Sequence, residues 1–215
     1  MQRHQRIGSG VFLLVLATSC AQSGAGTFRA GDSMLPTFAV GADIALINLD
    51  GRARRGRVIV FRAPEKPEQQ YVKRIIGLPG DTISVNATEI VVNGAPIPRC
   101  HVGAWRYTEA GGQAHAGELW LEALDETKWL VFHDASGSAS PAGPWTIAPG
   151  EVFVLGDNRE HSHDSRMWYG GRGGGLPLRF IVGGAAGLNA PTLPTGAESL
   201  KPALDACIMT VGESS

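Results

Sequence analysis

Short segments rich in β-branched residues, each followed by a turn signal, are the feature that most constrains how this chain folds. The clearest strand candidates lie at 42–49, 57–63, 71–77, 81–94 and 151–157. The fourth of them is predicted to be a hairpin, and it ends at Asn93-Gly94, a strong tight-turn signal. No segment in this region keeps a 3.6-residue apolar period beyond about ten residues. The pattern therefore predicts a mainly β protein.

Composition divides the chain further. Residues 28–98 and 147–188 carry the strand pattern and are predicted to form one β-domain. Residues 99–146, where aromatic side chains alternate with glycines and charges, are interpreted as an inserted second β-rich subdomain. Residues 189–215 are rich in Pro, Ala and Ser and are predicted to be a loosely packed C-terminal tail.

The first 27 residues have the pattern of an export signal or membrane anchor. Basic residues precede an apolar run at 11–21, and small polar residues follow it. The run is shorter than the roughly 20 residues that a transmembrane helix needs. Because "LATSC" loosely resembles a lipoprotein box, Cys20 is a candidate for lipidation. A buried strand or short helix is the alternative, but the flanks favour export.

Charge and cysteine content argue against two classes of function. The chain has 19 Lys and Arg and 20 Asp and Glu, a balance that gives no indication of a nucleic-acid partner. Its three cysteines are widely spaced and form no CxxC pair, so we expect no zinc site built on cysteines. Export would place Cys100 and Cys207 in an oxidising compartment, with Cys20 removed or lipidated. We therefore predict a disulfide between Cys100 and Cys207.

The segment "QYVKRIIGLPGD" (69–80) sends a cation to each face of a predicted strand. Neighbouring side chains in a strand point to opposite faces, so Lys73 and Arg74 cannot share one. On an edge strand both would reach water, which is the simpler explanation. The alternative is a buried lysine, whose pKa burial lowers until it can act as a general base near neutral pH. That alternative requires a nucleophile elsewhere in the chain.

Two polar segments offer candidates for this chemistry. In "AGDSMLPTF" (30–38), Ser33 precedes a Pro-containing turn that could expose its hydroxyl at a sheet edge. The segment "GDNREHSHDSR" (156–166) follows directly on the strand "EVFVL" and predicts a fixed polar network, with a solvated turn as the alternative. Within it, His161 and His163 have no further ligands at fixed spacing. They are therefore expected to face solvent rather than bind a metal.

Three motifs, "GDSMLPT", "YVKRIIGLPGD" and "GDNREHSHDSR", resemble those of the type I signal peptidases, the Ser-Lys leader peptidases, in both content and order. The segments "GADIALIN…RGRVIVFRAP" and "GLPLRFIVGGA" are similar to the family's remaining ones. The resemblance covers roughly residues 30–95 and 147–187, a little over half the chain. It implies a signal-peptidase or LexA-like β-fold with the inserted subdomain described above.

The resemblance implies roles for particular residues. Ser33 would be the nucleophile and Lys73 its general base, because a lysine, unlike an arginine, can lose its proton at usable pH. Ser162 resembles the loop serine that orients the lysine amine by hydrogen bonding. Arg74 is expected to pair with one of two carboxylates, Asp157 or Asp164. The loop itself would be held by a scaffold of four residues: Asp157, Arg159, Asp164 and Arg166.

The resemblance also implies how substrate is held. The backbone N–H of Ser33 would donate to the oxyanion, and many relatives take a second donor from the residue two positions earlier. Here that residue is Gly31, which has no hydroxyl, so a backbone group or water would have to substitute. Small apolar S1 and S3 pockets would select small residues, with Met34 and Val72 as expected wall residues.

The implied activity is cleavage of N-terminal signal peptides from exported precursor proteins, after small residues in an Ala-X-Ala-like pattern. The enzyme would need no cofactor or metal and would bind no nucleic acid. It would work in the bacterial cell envelope at the lipid surface of the inner membrane, with its active site on the extracytoplasmic side. Typical bacterial relatives carry full transmembrane helices before the serine motif, whereas this chain has only 11–21. The rival functions are a self-cleaving Ser-Lys repressor-type protease and a non-catalytic secreted β-fold binding module.

Overall fold

The structure, a computed structural model, describes residues 26–49, 51–86, 88–109, 111–137, 142–188 and 190–211. Residues 1–25, which carry almost all of the predicted export signal, lie outside the described residues. Across the described ranges, no helix is both long enough and apolar enough to cross a membrane. The secondary structure is dominated by antiparallel strands, which confirms the mainly β prediction.

The described part of the chain contains fourteen strands, two α-helices and three 3-10 turns. The strands are β1 (Thr27–Arg29), β2 (Asp43–Ile47), β3 (Val58–Arg62), β4 (Gln70–Gly77), β5 (Thr82–Asn86), β6 (Glu89–Val92), β7 (Ala95–Pro96), β8 (Arg99–Thr108), β9 (Ala114–Leu124), β10 (Thr127–Asp134), β11 (Ala142–Thr146), β12 (Glu151–Leu155), β13 (Leu176–Pro177) and β14 (Ile181–Ala185). The helices are α1 (Trp168–Gly171) and α2 (Lys201–Thr210), and the 3-10 turns are Arg159–His161, Leu178–Phe180 and Glu198–Leu200.

Strand β4 lies inside the largest sheet rather than at its edge. This sheet has the order β1-β2-β14-β3-β4-β12-β13, so β3 and β12 flank β4 on its two sides. The register places Ile59 opposite Lys73 and Val58 opposite Arg74. Both cations are 3% exposed. The edge-strand explanation is therefore wrong, since each cation is buried on its own face of the sheet.

Two smaller sheets complete the β structure. One contains β5, β6 and β7, and the predicted hairpin is confirmed by the pairing of Asn86 with Glu89. Asn93 and Gly94 both have positive φ (54° and 83°), the conformation that a two-residue hairpin turn requires. The region 99–134 forms the other sheet, of order β10-β9-β8, whereas β11 pairs with β5. Residues 99–146 therefore contribute strands to two different sheets.

The C-terminal tail is not loosely packed, which corrects the expectation from its composition. Helix α2 lies against β8 and β9, with Leu204 and Cys207 buried in one apolar cluster with Leu119 and Phe132. The Pro- and Ala-rich composition conceals a short apolar stripe at helical spacing, which positions 204, 207, 208 and 211 supply. Cys100 and Cys207 form a disulfide that fastens the helix to β8, as predicted.

Candidate active site

Ser33 sits in the tight turn that joins β1 to β2. Its neighbour Met34 is fully buried in the apolar cluster that also contains Val60 and Val72. The Leu35 N–H donates to the Asp32 carbonyl at 2.9 Å, which closes the turn. Because Met34 anchors this turn in the core, the Ser33 side chain is left half-buried and within reach of β4.

Lys73 places its amine against the Ser33 hydroxyl. The Nζ–Oγ distance is 2.5 Å, and the hydrogen bond joins two residues 40 positions apart. Burial lowers the pKa of Lys73 from 10.5 to about 8, although Asp164, Asp157 and Asp32 raise it in part. The structure therefore brings together the two sequence candidates for nucleophile and base, and it holds the amine where a neutral form is accessible.

Arg74, on the opposite face of β4, makes a paired contact with a carboxylate. Its Nε and Nη2 donate to the two Asp157 oxygens at 2.9 and 2.6 Å, and its Nη1 donates to the Gly56 carbonyl at 2.7 Å. Of the two expected partners, Asp157 is the one that Arg74 contacts. Strands β12 and β4 are neighbours, so Asp157, two positions beyond the end of β12, reaches the middle of β4.

Asp164 is the acceptor around which the polar loop folds. It is fully buried, and its oxygens accept from Arg166 Nε and Nη2, both at 2.8 Å, and from the Gly156 N–H at 3.0 Å. Burial alone would raise the pKa of Asp164, but the Arg166 charge and these hydrogen bonds outweigh it and hold the pKa below its usual range. Asp164 is thus a fixed negative charge near the Lys73 amine.

Ser162 does not make the bond that its sequence position suggested. Its hydroxyl donates to Asp164 Oδ2 at 2.7 Å, and the hydrogen bond described for the Lys73 amine goes to Ser33. Among the described residues, no hydrogen bond joins Ser162 to Lys73. The charged carboxylate two residues away is the stronger acceptor for the Ser162 proton. The Ser162 oxygen keeps its lone pairs for a donor.

Gly156 allows the loop and the Ser33 turn to approach closely. A Cβ on Gly156 would lie 2.2 Å from Ser162 Oγ and 2.5 Å from the Ser33 carbonyl oxygen. The Asn158 N–H donates to that same carbonyl at 3.1 Å. The loop therefore supports the Ser33 backbone directly, and only a glycine fits between them.

Glu122, Asn158 and Tyr107 join the site without having been predicted from the sequence. Arg159 donates to both oxygens of Glu122 on β9, at 2.7 and 2.5 Å. The side chain of Asn158 donates to the Asp32 carbonyl at 3.2 Å and to the Tyr107 hydroxyl at 3.0 Å. Glu122 had one sequence signal, as a lone acid within the apolar run "LWLEAL". Nothing in the sequence pairs it with Arg159, because the contact joins β9 to the loop after β12 across 37 positions of the chain.

The comparisons with known proteins agree with these motifs. The sequence pattern of the family described as signal peptidase, peptidase S26, matches residues 4–188. The chain is 35% identical over 149 residues to a signal peptidase I of Pseudomonas aeruginosa, a match that covers 66% of this chain and 51% of the relative. For a signal peptidase I of Pseudomonas fluorescens the identity is 34% over 154 residues, covering 63% and 52%. The chain thus spans about half the length of these two relatives.

Two other matches have different coverage. A signal peptidase I of Bacillus caldolyticus is 34% identical over 156 residues, which is 71% of this chain and 72% of the relative. Among solved structures, a signal peptidase I from Enterococcus faecalis is 23% identical, with a TM-score of 0.38. That match covers 62% of this chain and 96% of the other.

The burial of Lys73 should cost stability that a neutral side chain would recover. Lowering its pKa from 10.5 to about 8 corresponds to about 3 kcal/mol of penalty on the ammonium form. We expect Lys73→Met to raise the free energy of unfolding by about 1–3 kcal/mol at pH 7, measured by urea unfolding. The unfolded lysine holds its proton up to higher pH, so the wild type gains stability as pH rises from 8 to 10.5. The difference in free energy of unfolding between Lys73→Met and wild type should therefore become smaller between pH 8 and 10.5.

Lys66→Met, at an exposed lysine, provides the control and should show no such pH-dependent difference. A Lys73→Met protein that is less stable than wild type at pH 7 would contradict the assignment of an ammonium destabilised by burial.

Proposed function

The chain belongs to the signal peptidase family, peptidase S26, and from this we propose that it is a serine endopeptidase that removes signal peptides from exported precursor proteins. Cleavage would follow small residues in an Ala-X-Ala-like pattern. The observation that carries the proposal is the 2.5 Å contact between Lys73 Nζ and Ser33 Oγ beside a buried polar network.

The mechanism follows from which group can hold the proton. Neutral Lys73 takes the Ser33 proton as Oγ attacks the carbonyl carbon of the scissile bond. The ammonium then gives its proton to the leaving amine, which departs and leaves an acyl ester on Ser33. Lys73, neutral again, takes a proton from the attacking water, and the hydroxide adds to the acyl carbon. The bond from that carbon to Ser33 Oγ then breaks, and the Lys73 ammonium returns its proton to Oγ as the acid departs. Arg74 cannot perform this exchange, because a guanidinium keeps its proton throughout the accessible pH range.

Ser162 acts in this proposal as a positioning residue. Its hydroxyl proton is committed to Asp164, so its oxygen can accept from the ammonium that forms at Lys73 during the reaction. Asp157, Arg159, Asp164 and Arg166 hold the loop through buried ion pairs and backbone hydrogen bonds, and none of them needs to touch substrate. Their contribution is the fixed position of Ser162 and of the Ser33 carbonyl.

The oxyanion would be stabilised by the Ser33 backbone N–H. Among the described residues this N–H has no hydrogen-bond acceptor, which leaves it available to substrate. A side chain added at Gly31 would meet no atom within 4 Å of its Cβ, and the Gly31 φ lies outside the range that favours glycine. Gly31 therefore supplies no side-chain donor to the oxyanion, although there is space at this position for a side chain that could supply one.

Selection of small residues would depend on the apolar walls beside the dyad. Met34 is fully buried and Val72 is 3% exposed, and both belong to one cluster with Ile44 and Val60. A packed cluster of this kind does not open for large side chains without loss of contacts. We propose that these walls define the S1 and S3 pockets and that the substrate is a precursor bearing a signal peptide.

The proposed location is the cell envelope, at the lipid surface of the inner membrane with the active site facing outward. The basic and apolar pattern of the first 27 residues supports export or anchoring. The Cys100–Cys207 disulfide supports an oxidising compartment for residues 99–211.

Lys73→Arg should be as inactive as Lys73→Ala, with a loss of at least 10³-fold in kcat/KM. The arginine keeps the positive charge but cannot accept the Ser33 proton. Cleavage of a precursor with an Ala-X-Ala leader, followed by gel shift, measures the loss. Lys66→Arg is the matched control on an exposed lysine and should cleave like wild type. Substantial cleavage by Lys73→Arg would remove the dyad from the mechanism and favour a non-catalytic role.

Gly31→Ser should increase turnover, because a hydroxyl at this position supplies the second oxyanion donor. One such donor is worth roughly 10²–10³-fold where it is well aligned, and we expect about tenfold in kcat here because the new side chain is not preorganised. KM should change little, and Gly31→Ala should behave like wild type. An increase in Gly31→Ala equal to that in Gly31→Ser would show that the hydroxyl is not responsible.

The pH dependence of kcat/KM should report the Lys73 amine. Burial sets its pKa at about 8, so activity should rise with pH to a midpoint near 8 and fall about tenfold per pH unit below it. His163→Gln is the control for a histidine in the same loop and should leave the midpoint in place. A midpoint near 6.5 that disappears in a histidine variant would contradict the assignment.

A further inference from the structure

A second cluster of titratable side chains includes His161 of the polar loop. It contains Glu109 just after β8, His115 on β9, Asp134 at the end of β10 and His161 in the 3-10 turn 159–161. One carboxylate oxygen of Glu109 and one ring nitrogen of each histidine lie within 4.8 Å of one another. The proposed peptidase mechanism uses none of these side chains.

The histidines are oriented by a shared carboxylate. Asp134 Oδ2 contacts His115 Nδ1 at 2.7 Å and His161 Nε2 at 2.8 Å. The N–H and the hydroxyl of Ser136 donate to the other oxygen of Asp134, at 2.8 and 2.7 Å. Asp134 is therefore fixed, and it fixes both imidazole rings in turn.

The other nitrogen of His115 points toward Glu109. His115 Nε2 lies 2.8 Å from Glu109 Oε1, on the opposite side of the ring from Asp134. The His115 ring is buried and stacks on Tyr107 with ring centroids 4.9 Å apart. Glu109 is at the β8–β9 turn with its side chain 33% exposed, so it can adjust its position. One face of the cluster is thus rigid and the other is adaptable.

We propose that Glu109, His115 and His161 bind a divalent zinc ion, with Asp134 as the outer carboxylate that holds the two imidazoles. Two imidazoles and one carboxylate are a donor set that suits zinc, with water in the remaining position. A carboxylate behind each metal-binding histidine is the arrangement that fixes the tautomer and orients the ring. Tetrahedral coordination needs ligand atoms about 3.3 Å apart. The 2.8 Å contact between His115 Nε2 and Glu109 Oε1 therefore has to widen while the longer distances, up to 4.8 Å, shorten, and the partly exposed Glu109 can move to allow both.

The sequence predicted that His161 and His163 both face solvent, and this is confirmed for His163 alone. His163 is exposed and contacts Glu65 at 3.4 Å, away from the cluster. His161 instead meets His115, with ring centroids 4.3 Å apart. A zinc ion here would join the sheet of β8–β10 to the loop that carries Ser162.

Isothermal titration of the chelator-treated full chain with zinc chloride, with thermal unfolding in parallel, tests the proposal. We expect one ion per chain, a dissociation constant in the micromolar range or below, and a higher unfolding midpoint with zinc. Glu109→Gln and His161→Gln should each weaken binding at least tenfold. His163→Gln, in the same loop, and His101→Gln, an exposed histidine on β8, should bind zinc like wild type.

Three outcomes would overturn the site. One is an absence of zinc binding and of any shift in the unfolding midpoint, in which case the contacts are a hydrogen-bonded network of imidazoles and carboxylates. Another is equal zinc binding in Glu109→Gln, His161→Gln and wild type, which would place the ion elsewhere. A third is equal or tighter binding of calcium, which avoids nitrogen ligands. Glu109 is partly exposed, so its variant should fold, and circular dichroism verifies this before titration.

Discussion

The contrast between two adjacent buried cations on β4 is the physical constraint on which the rest of the site depends. Lys73 and Arg74 are equally buried, at 3% exposure each. Arg74 is neutralised by a carboxylate at 2.6 Å, whereas Lys73 has a neutral hydroxyl at 2.5 Å and its carboxylates only at a distance. Burial without a direct counter-ion favours loss of the proton, and burial with one prevents it. The same strand therefore supplies one permanent ion pair and one base.

The polar loop is held by largely buried ion pairs. Three arginines meet three buried or nearly buried carboxylates, in the pairs Arg74–Asp157, Arg159–Glu122 and Arg166–Asp164. Such pairs are weak contributors to net stability, because desolvation offsets most of the attraction. Their geometric requirement is strict, since each guanidinium donates to two oxygens at once. They account for how a loop of irregular backbone keeps Gly156 within contact of the Ser33 turn.

The sequence predicted the parts of this site that rest on local pattern and family motifs. The strands, the hairpin and the meeting of Ser33 with Lys73 follow from strand alternation and motif order. For Arg74 the motifs left two partners open, and the structure selects Asp157. The motif led us to expect a hydrogen bond between Ser162 and the Lys73 amine, whereas the Ser162 hydroxyl donates to Asp164. Strand alternation and motif order do not specify which nearby group a hydroxyl contacts. Glu122 and Tyr107 were missed because their contacts join strands of another sheet to the loop, and no periodicity encodes such contacts. The prediction of a loosely packed C-terminal tail was wrong, because four apolar positions in a Pro- and Ala-rich segment are a weak signal of a packed helix. The disulfide to β8 fixes the surface against which these positions pack.

The sheet of β8, β9 and β10 holds the active-site loop at several points. The Phe132 N–H of β10 donates to the Asp157 carbonyl at 2.9 Å, Glu122 of β9 holds Arg159, and Asp134 holds His161. These contacts reach successive parts of the loop on both sides of Asn158, whose N–H supports the Ser33 carbonyl. The disulfide between β8 and α2 then closes the outer face of that sheet. The same sheet also packs directly against β4, where the Arg74 guanidinium lies 4.8 Å from the centroid of the Trp129 ring. The position of Ser162 thus depends on the contacts that the β8–β10 sheet makes with the loop.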